Sequence, residues 1–221
     1  MVSVTVPDQR CTACALHRIR DTLLARMTLT RADNQKAALR QSALARREAL
    51  APDMRTAAAQ TLAARGLPVA VPAGAIVSGY SPMKSELNPV PLMRKLADAG
   101  AQLALPVVQG RGKPLTLRHW QFGAPLVSGV WGIREPGPNA PEAFPQIMLV
   151  PLAAFDRRGH RIGYGAGYYD MTIARIRAMQ PVTAIGIAFA AQEIAAVPDT
   201  PFDQRLDLVL TEREVIDLRS G

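Results

Sequence analysis

The chain has 221 residues, 48% of them apolar, and a formal charge of +8 carried mostly by arginine. That is about one domain's worth of chain with ample core material, and no apolar run of about eighteen residues offers a membrane-spanning helix. The two cysteines, Cys11 and Cys14, with His17 close behind, could form half of a zinc or redox site. A structural zinc wants four ligands, however, and His119 and His160 are far away in sequence, so a reduced N-terminal extension is expected.

The start, MVSVTVPDQR, lacks the basic-then-apolar order of a secretory signal, so a cytoplasmic protein is expected. Residues 1–32 show no core pattern and read as a poorly ordered extension ahead of a single domain over 33–221. The arginines are spread along the chain without the aromatic–basic alternation that stacks bases. No nucleic-acid partner is expected; capture of a small polyanion is the other use of such a charge.

Asp33 is a helix N-cap candidate, and NQKAALRQSALARREAL after it sets Leu39, Ala43, Leu44 and Leu50 on or near one face. Pro52 suits the first turn of a second helix that Gly66 ends. Pro68, Pro72 and Gly74 mark a loop, and Ala75–Tyr80 reads as a strand. A helix over Pro89–Ala99 turns Leu92, Met93 and Leu96 inward, Gly100 stops it, and Leu103–Val108 is the next strand. Strand, helix, strand at this length is a βαβ unit, which implies a parallel sheet with a right-handed crossover. Leu115–Phe122 alternates partly, as a more exposed antiparallel strand would. Pro136–Pro145 is an extended connection.

Ile147–Phe155 has the length and composition of a buried strand. Asp156 and a basic turn follow, and then Gly163, Gly165 and Gly167 interleave with Tyr164, Ala166 and Tyr168. Tyr169 and Asp170 close the loop before a helix over Met171–Met179, for which Asp170 is the N-cap candidate. Glycine lets backbone N–H groups approach an anion, and a helix N-terminus adds favourable partial charge. The spacing is not that of the dinucleotide or P-loop fingerprints, so a phosphate loop and an ordinary flexible turn both remain open. Val182–Ala190 is a buried strand, a loop with Pro198, Asp199, Pro201 and Asp203 follows, and Leu206–Leu210 reads as the last strand. The whole is an α/β domain with ligands expected beyond the carboxyl ends of its strands.

Several motifs, in order, resemble the 5-formyltetrahydrofolate cyclo-ligase (methenyltetrahydrofolate synthetase) family over roughly Gln35–Glu212. They are Lys36-Ala-Ala-Leu-Arg40, Glu86, Leu105-Pro-Val-Val108, Gly129-Val-Trp-Gly-Ile-Arg-Glu-Pro136, Val150–Asp170, and Asp203–Asp207 with Leu-Val-Leu-Thr-Glu212 behind it. The resemblance implies a single three-layer domain, a mainly parallel sheet flanked by helices, Rossmann-like in the manner of NagB, RpiA and CoA transferases. It implies a cytoplasmic, most simply monomeric ligase of one-carbon metabolism whose partners are a reduced folate and ATP, with no nucleic acid and no membrane. The implied reaction is ATP- and magnesium-dependent cyclisation of 5-formyltetrahydrofolate to 5,10-methenyltetrahydrofolate, releasing ADP and phosphate.

Site residues carry over by motif. Lys36 and Arg40, at i and i+4, ordinarily make a solvated surface; by resemblance they bind ATP phosphates. Arg161, Ile162, Gly163, Tyr164, Gly165, Ala166, Gly167, Tyr168 and Tyr169 would form the ATP loop, with Tyr164 to Tyr168 also touching the folate. Ser81, Glu86 and Trp131 would contact the folate. Glu86 otherwise reads as a carboxylate at the entry to the helix beyond Pro89, and Trp131 as a core or shelf aromatic. Arg161, Tyr168 and Asp170 would be catalytic, and Asp170 and Asp203 would share the magnesium ion. The chain departs from the family at Met171, where arginine is usual, and at Thr200 and Phe202, where glutamate and histidine are common. The alternatives are a related α/β enzyme acting on a sugar phosphate or CoA ester, and a folate- or nucleotide-binding regulator without turnover.

Overall fold

A computed structural model describes residues 32–219. The proposed extension over 1–32, with Cys11 and Cys14, lies outside them save for Ala32. The described residues form four α-helices, α1 (32–48), α2 (Pro52–Arg65), α3 (Val90–Asp98) and α4 (Tyr168–Met179), and a seven-stranded sheet that α2 and α3 cover on one face and α4 on the other. Its strands are β1 (Ile76–Ser78), β2 (Gln102–Val107), β3 (Thr116–Trp120), β6 (Ile147–Pro151), β9 (Thr183–Ile187), β10 (Leu208–Leu210) and β11 (Val215–Asp217). Two small hairpins stand off the sheet: β4 (Leu126–Ser128) with β5 (Arg134–Pro136), and β7 (Ala154–Phe155) with β8 (Arg161–Ile162).

The sheet order is β11-β10-β9-β6-β1-β2-β3. Its inner five strands are parallel, and both edges, β3 and β11, are antiparallel. Apolar residues alternate between the two faces of the inner strands. Leu149, Ile185, Leu208 and Val77 join α2 and α3 on one face. Met148, Val150, Ala184 and Val209 meet Ile173 and Ile176 of α4 on the other. The expected three-layer α/β architecture is therefore present.

α2 starts with Pro52 in its first turn and ends at Gly66 (φ 78°), whose N–H donates to the Leu62 carbonyl. α3 buries Leu92, Met93 and Leu96, the three residues its periodicity selects.

Four expectations need correction. Ile147–Phe155 is not one strand: the ladder ends at Pro151, and Ala154–Phe155 turns away to pair with Arg161–Ile162. Leu208–Leu210 is not the last strand, because the chain turns at Thr211 and returns as β11 along the same edge. α4 starts at Tyr168 with Gly167 as its N-cap, so Asp170 lies in its first turn rather than capping it. Asp33 is likewise inside a helix that already runs at Ala32.

From β1 the chain steps outward to β2 and β3, whereas from β6 it steps the opposite way to β9, β10 and β11. The strand order reverses between β1 and β6, the position where sheets of this kind bind ligands beyond their carboxyl ends. The loop after β1 holds Ser81–Glu86. The chain after β6 forms the β7–β8 hairpin and then the glycine loop.

Candidate active site at the sheet switch point

α1 does not lie on the sheet. Its Leu39 and Ala43 pack on Ala154, Ile162 and Val197, so it covers the β7–β8 hairpin that carries the glycine loop. The inward stripe holds three cations as well: Lys36 and Arg47 are buried and Arg40 is half-buried. At helical spacing, 36, 40, 43 and 47 fall on one face. The solvated-surface reading of Lys36 and Arg40 does not hold.

Each cation has a defined partner in or near the loop. Arg40 Nε donates to the Gly163 carbonyl at 2.6 Å, and its guanidinium faces Gly165. Lys36 Nζ donates to Asp203 Oδ2 at 2.5 Å. Two glycines of the loop take the left-handed conformation, Gly165 at φ 95° and Gly167 at φ 66°, which side-chain-bearing residues adopt only with strain. Tyr164, Gly165, Ala166 and Gly167 are exposed, leaving their backbone open to a ligand. Ile162 is buried in β8 and offers a ligand no side chain.

Arg161 lies beneath the loop. It is 6% exposed; Nη1 donates to the Gln204 carbonyl and Nη2 to Asp170 Oδ1 at 2.7 Å. Burial pulls its pKa down, and the Asp170 charge opposes that pull. The same Asp170 oxygen accepts the Gln204 N–H at 2.9 Å. Asp203, the neighbour of Gln204, accepts the Thr200 N–H at 2.7 Å and its hydroxyl at 3.0 Å. Thr200, one of the family departures, thus orients a proposed metal ligand. Phe202 is 74% exposed and Met171 lies in the first turn of α4, and nothing in the structure gives either a role at the site.

The donor set fits magnesium. Asp170 and Asp203 are hard oxygen donors on adjacent segments, and each keeps one carboxylate oxygen outside the hydrogen bonds just described. Magnesium prefers one or two carboxylates completed by water and substrate phosphate. Among the described residues no group of three or more His, Cys, Asp or Glu assembles, so a dedicated protein cage is absent there.

The other wall of the site is formed by the loop after β1 and the β4–β5 hairpin. Ser81 Oγ donates to the Arg134 carbonyl at 3.1 Å, tying the two together. Each carries a non-glycine residue at positive φ, Lys84 at 51° and Trp131 at 58°. Backbone held this way concentrates at functional sites. Trp131 is 70% exposed, so the core-aromatic reading fails. Its ring lies 6.1 Å from that of Tyr168, at the start of α4. Glu86 is buried and Oε2 accepts the Met83 N–H at 2.8 Å. It therefore organises its own turn rather than the entry to α3. Burial raises its pKa.

Sequence reasoning missed Arg47, whose Nε donates to Ser85 Oγ at 3.0 Å and whose Cζ lies 5.9 Å from the centre of the Tyr164 ring. Only apolar residues of α1 entered the inward face. Yet Arg47 sits four positions after Ala43 and seven after Arg40, on the stripe that already held Lys36 and Arg40.

A mostly parallel sheet covered on both faces, with cations, carboxylates and a bare glycine loop gathered at its switch point, is that of an α/β protein with a candidate anion site at the switch point. The 5-formyltetrahydrofolate cyclo-ligase family model matches residues 32–212, and the chain belongs to that family. The 5-formyltetrahydrofolate cyclo-ligase of Mycolicibacterium smegmatis is 34% identical over 156 residues, 66% of this chain and 78% of the relative. That of Escherichia coli is 31% identical over 180 residues, 77% of this chain and 96% of the relative. The solution structure of Aquifex aeolicus 5,10-methenyltetrahydrofolate synthetase superposes with a TM-score of 0.70 at 28% identity, covering 84% of this chain and 94% of that one. The family is one of ligases, so the chain is an enzyme. No helix among the described residues is long and apolar enough to cross a membrane.

Proposed function

We propose that the protein catalyses the ATP- and magnesium-dependent cyclisation of 5-formyltetrahydrofolate to 5,10-methenyltetrahydrofolate, releasing ADP and phosphate. The observation that carries this reading is the convergence of Lys36 and Arg40 of α1 on the glycine loop and on Asp203, beside Asp170. A triphosphate needs point charges, a fork of donors and exposed backbone N–H groups, and these three elements supply them.

A formamide oxygen is a poor leaving group. It first attacks the γ-phosphorus, the bond to the β-phosphate oxygen breaks, and ADP leaves. The neighbouring aniline nitrogen then adds to the activated formyl carbon and loses its proton. That addition closes the five-membered ring, and breaking the carbon–oxygen bond to phosphate then leaves the methenyl carbon double-bonded to nitrogen. Transfer of this kind depends on alignment and charge neutralisation more than on a nucleophile from the protein.

The chain's residues divide this work. Lys36 and Arg40 bind the phosphates, and residues 161–169 shape the loop around them. Arg161 positions Asp170 from below. Asp170 and Asp203 would hold the magnesium ion, whose charge would offset that of the phosphates. Ser81, Glu86 and Trp131, with Tyr164 to Tyr168, form the folate wall. The loop must also exclude water from the phosphorylated intermediate, and its exposed tip, residues 164–167, is the segment placed to cover it.

The direct test mixes purified protein with 5-formyltetrahydrofolate, magnesium and ATP and follows methenyl absorbance in the near ultraviolet. Turnover that requires ATP supports the reading. Saturable folate binding without product supports a regulator, and absence of folate binding points to a sugar-phosphate or CoA-ester substrate. Size-exclusion with light scattering checks the monomeric state, and cell fractionation the cytoplasmic location.

A further inference from the structure

Arg47 is unusual within this fold. It is 1% exposed, and Nη1 and Nη2 are both buried without a hydrogen-bond partner. Its one bond, from Nε to Ser85 Oγ at 3.0 Å, fixes the guanidinium beside the loop that carries Glu86. Glu86 is 7% exposed, and its Oε1 is also buried without a partner. A cation that merely braced two elements would spend its terminal nitrogens on carbonyls, as Arg161 and Arg118 do. Leaving a buried donor fork and a buried carboxylate oxygen unpaired is costly, and such groups persist where water, an ion or a ligand completes them.

The two unpaired groups define the edge they would accept. The guanidinium offers two N–H donors to an oxygen acceptor, and Glu86 offers one acceptor to an N–H donor. Acceptor and donors adjacent on one rigid ring is the pattern of a 2-amino-4-oxopyrimidine: a C4 carbonyl, an N3–H and an exocyclic amine. The Tyr164 side chain lies against both groups: its ring centre is 5.9 Å from Arg47 Cζ, its hydroxyl is close enough to Glu86 and to Arg47 to interact with each without a well-formed hydrogen bond, and the residue is 41% exposed on the glycine loop. It is the side chain whose movement would open Arg47 to a ligand.

We propose that Arg47 is a specificity residue that reads the C4 carbonyl of the pterin ring, beside Glu86, and that Tyr164 is the cover that admits the ring. This rests on the folate reading of the site and adds to it the residue that distinguishes a 4-oxo from a 4-amino pteridine. A 4-amino group points donors at the donors of Arg47. The acceptor such a group replaces is one that a site built to hydrogen-bond it discriminates strongly.

Calorimetric titration of the full chain with 5-formyltetrahydrofolate and with its 4-amino analogue tests this, alongside Arg47→Met. The wild type is expected to prefer the 4-oxo compound by about tenfold or more. Arg47→Met is expected to weaken binding of the 4-oxo compound by about tenfold and to bring the two affinities within about twofold of each other. Its affinity for a non-hydrolysable ATP analogue should be unchanged. Equal wild-type affinity for the two pteridines overturns the proposal, and so does a variant that keeps the wild-type preference. If Arg47→Met does not fold, the wild-type comparison and Arg47→Lys, which keeps charge but loses the fork, decide it. A wild type that binds no reduced folate overturns the folate reading itself, and this inference with it.

Discussion

Lys36 and Asp203, 167 positions apart, hold each other at 2.5 Å across the mouth of the glycine loop. Both are partly shielded, with side chains 11% and 19% exposed. In the proposed reaction they have different partners, a phosphate for Lys36 and magnesium for Asp203. Substrate binding is thus an exchange of ion pairs within a site that is already closely matched in charge. That exchange lets a metal–nucleotide complex enter without stranding either group.

Lys36→Ala should raise the KM for ATP by about tenfold with a smaller effect on kcat, because it removes a phosphate contact made before the transition state. Steady-state kinetics at saturating folate measure this. A KM for ATP equal to the wild-type value would remove Lys36 from the nucleotide site.

Asp170 has two tasks that two substitutions separate. Arg161 beneath it is 4% exposed at the side chain and relies on Asp170 Oδ1. Asp170→Ala leaves that guanidinium without its carboxylate partner and should cost about 2–3 kcal/mol of stability. Asp170→Asn keeps a neutral acceptor for Arg161 and Gln204 and should unfold closer to the wild type. Both should lose magnesium-dependent turnover, measured by titrating magnesium at saturating ATP. Near-normal activity of Asp170→Asn would exclude a metal role for the carboxylate.

The βαβ order and the position of the loop were legible because buried parallel strands are continuous apolar runs punctuated by Gly and Pro. The hairpin inside Ile147–Ile162 was not. Leu152 to Phe155 continue the apolar run because they pack under α1 and α4, and composition cannot show where a ladder ends. β11 is three residues, preceded by Glu214 and ending on Asp217, too short to leave a period. Arg47 was hidden by the rule that arginine faces water, which fails where a helix lines a site. Helix phase from Leu39 and Ala43 placed it inward all the same.

Asp156 turns the chain from β7 into β8. Fully buried, its carboxylate accepts the N–H groups of Arg158 (3.0 Å), His160 (3.0 Å) and Val197 (2.9 Å), and the Arg158 guanidinium at 2.8 Å. Burial pushes its pKa up, but the bonds from Val197, Arg158 and His160 outweigh it and hold the carboxyl below its usual range. A lowered folded-state pKa stabilises above the unfolded value, near about 4, and that stability is lost as pH falls through the folded value. Asp156→Asn should therefore cost about 3 kcal/mol at neutral pH and less in acid. Urea melts of both proteins at neutral and acid pH measure the difference. A penalty that does not shrink in acid would assign the loss to shape rather than charge.

Trp131 offers an optical report on the folate wall. The chain has two tryptophans. Trp120 is half-buried in β3 against Phe122, with ring centres 4.8 Å apart, while Trp131 is exposed beside Tyr168 at the proposed pocket. Binding of 5-formyltetrahydrofolate should quench tryptophan emission in the wild type, and Trp131→Phe should abolish most of that quenching. The same variant should weaken folate binding several-fold, since a ring of smaller area remains to stack on the pterin. Its affinity for ATP should hold, because Lys36 and Arg40 lie on the opposite side of the loop's chemistry, on α1. Full quenching retained by Trp131→Phe would place the bound ring near Trp120 instead and move the folate wall to the far edge of the sheet.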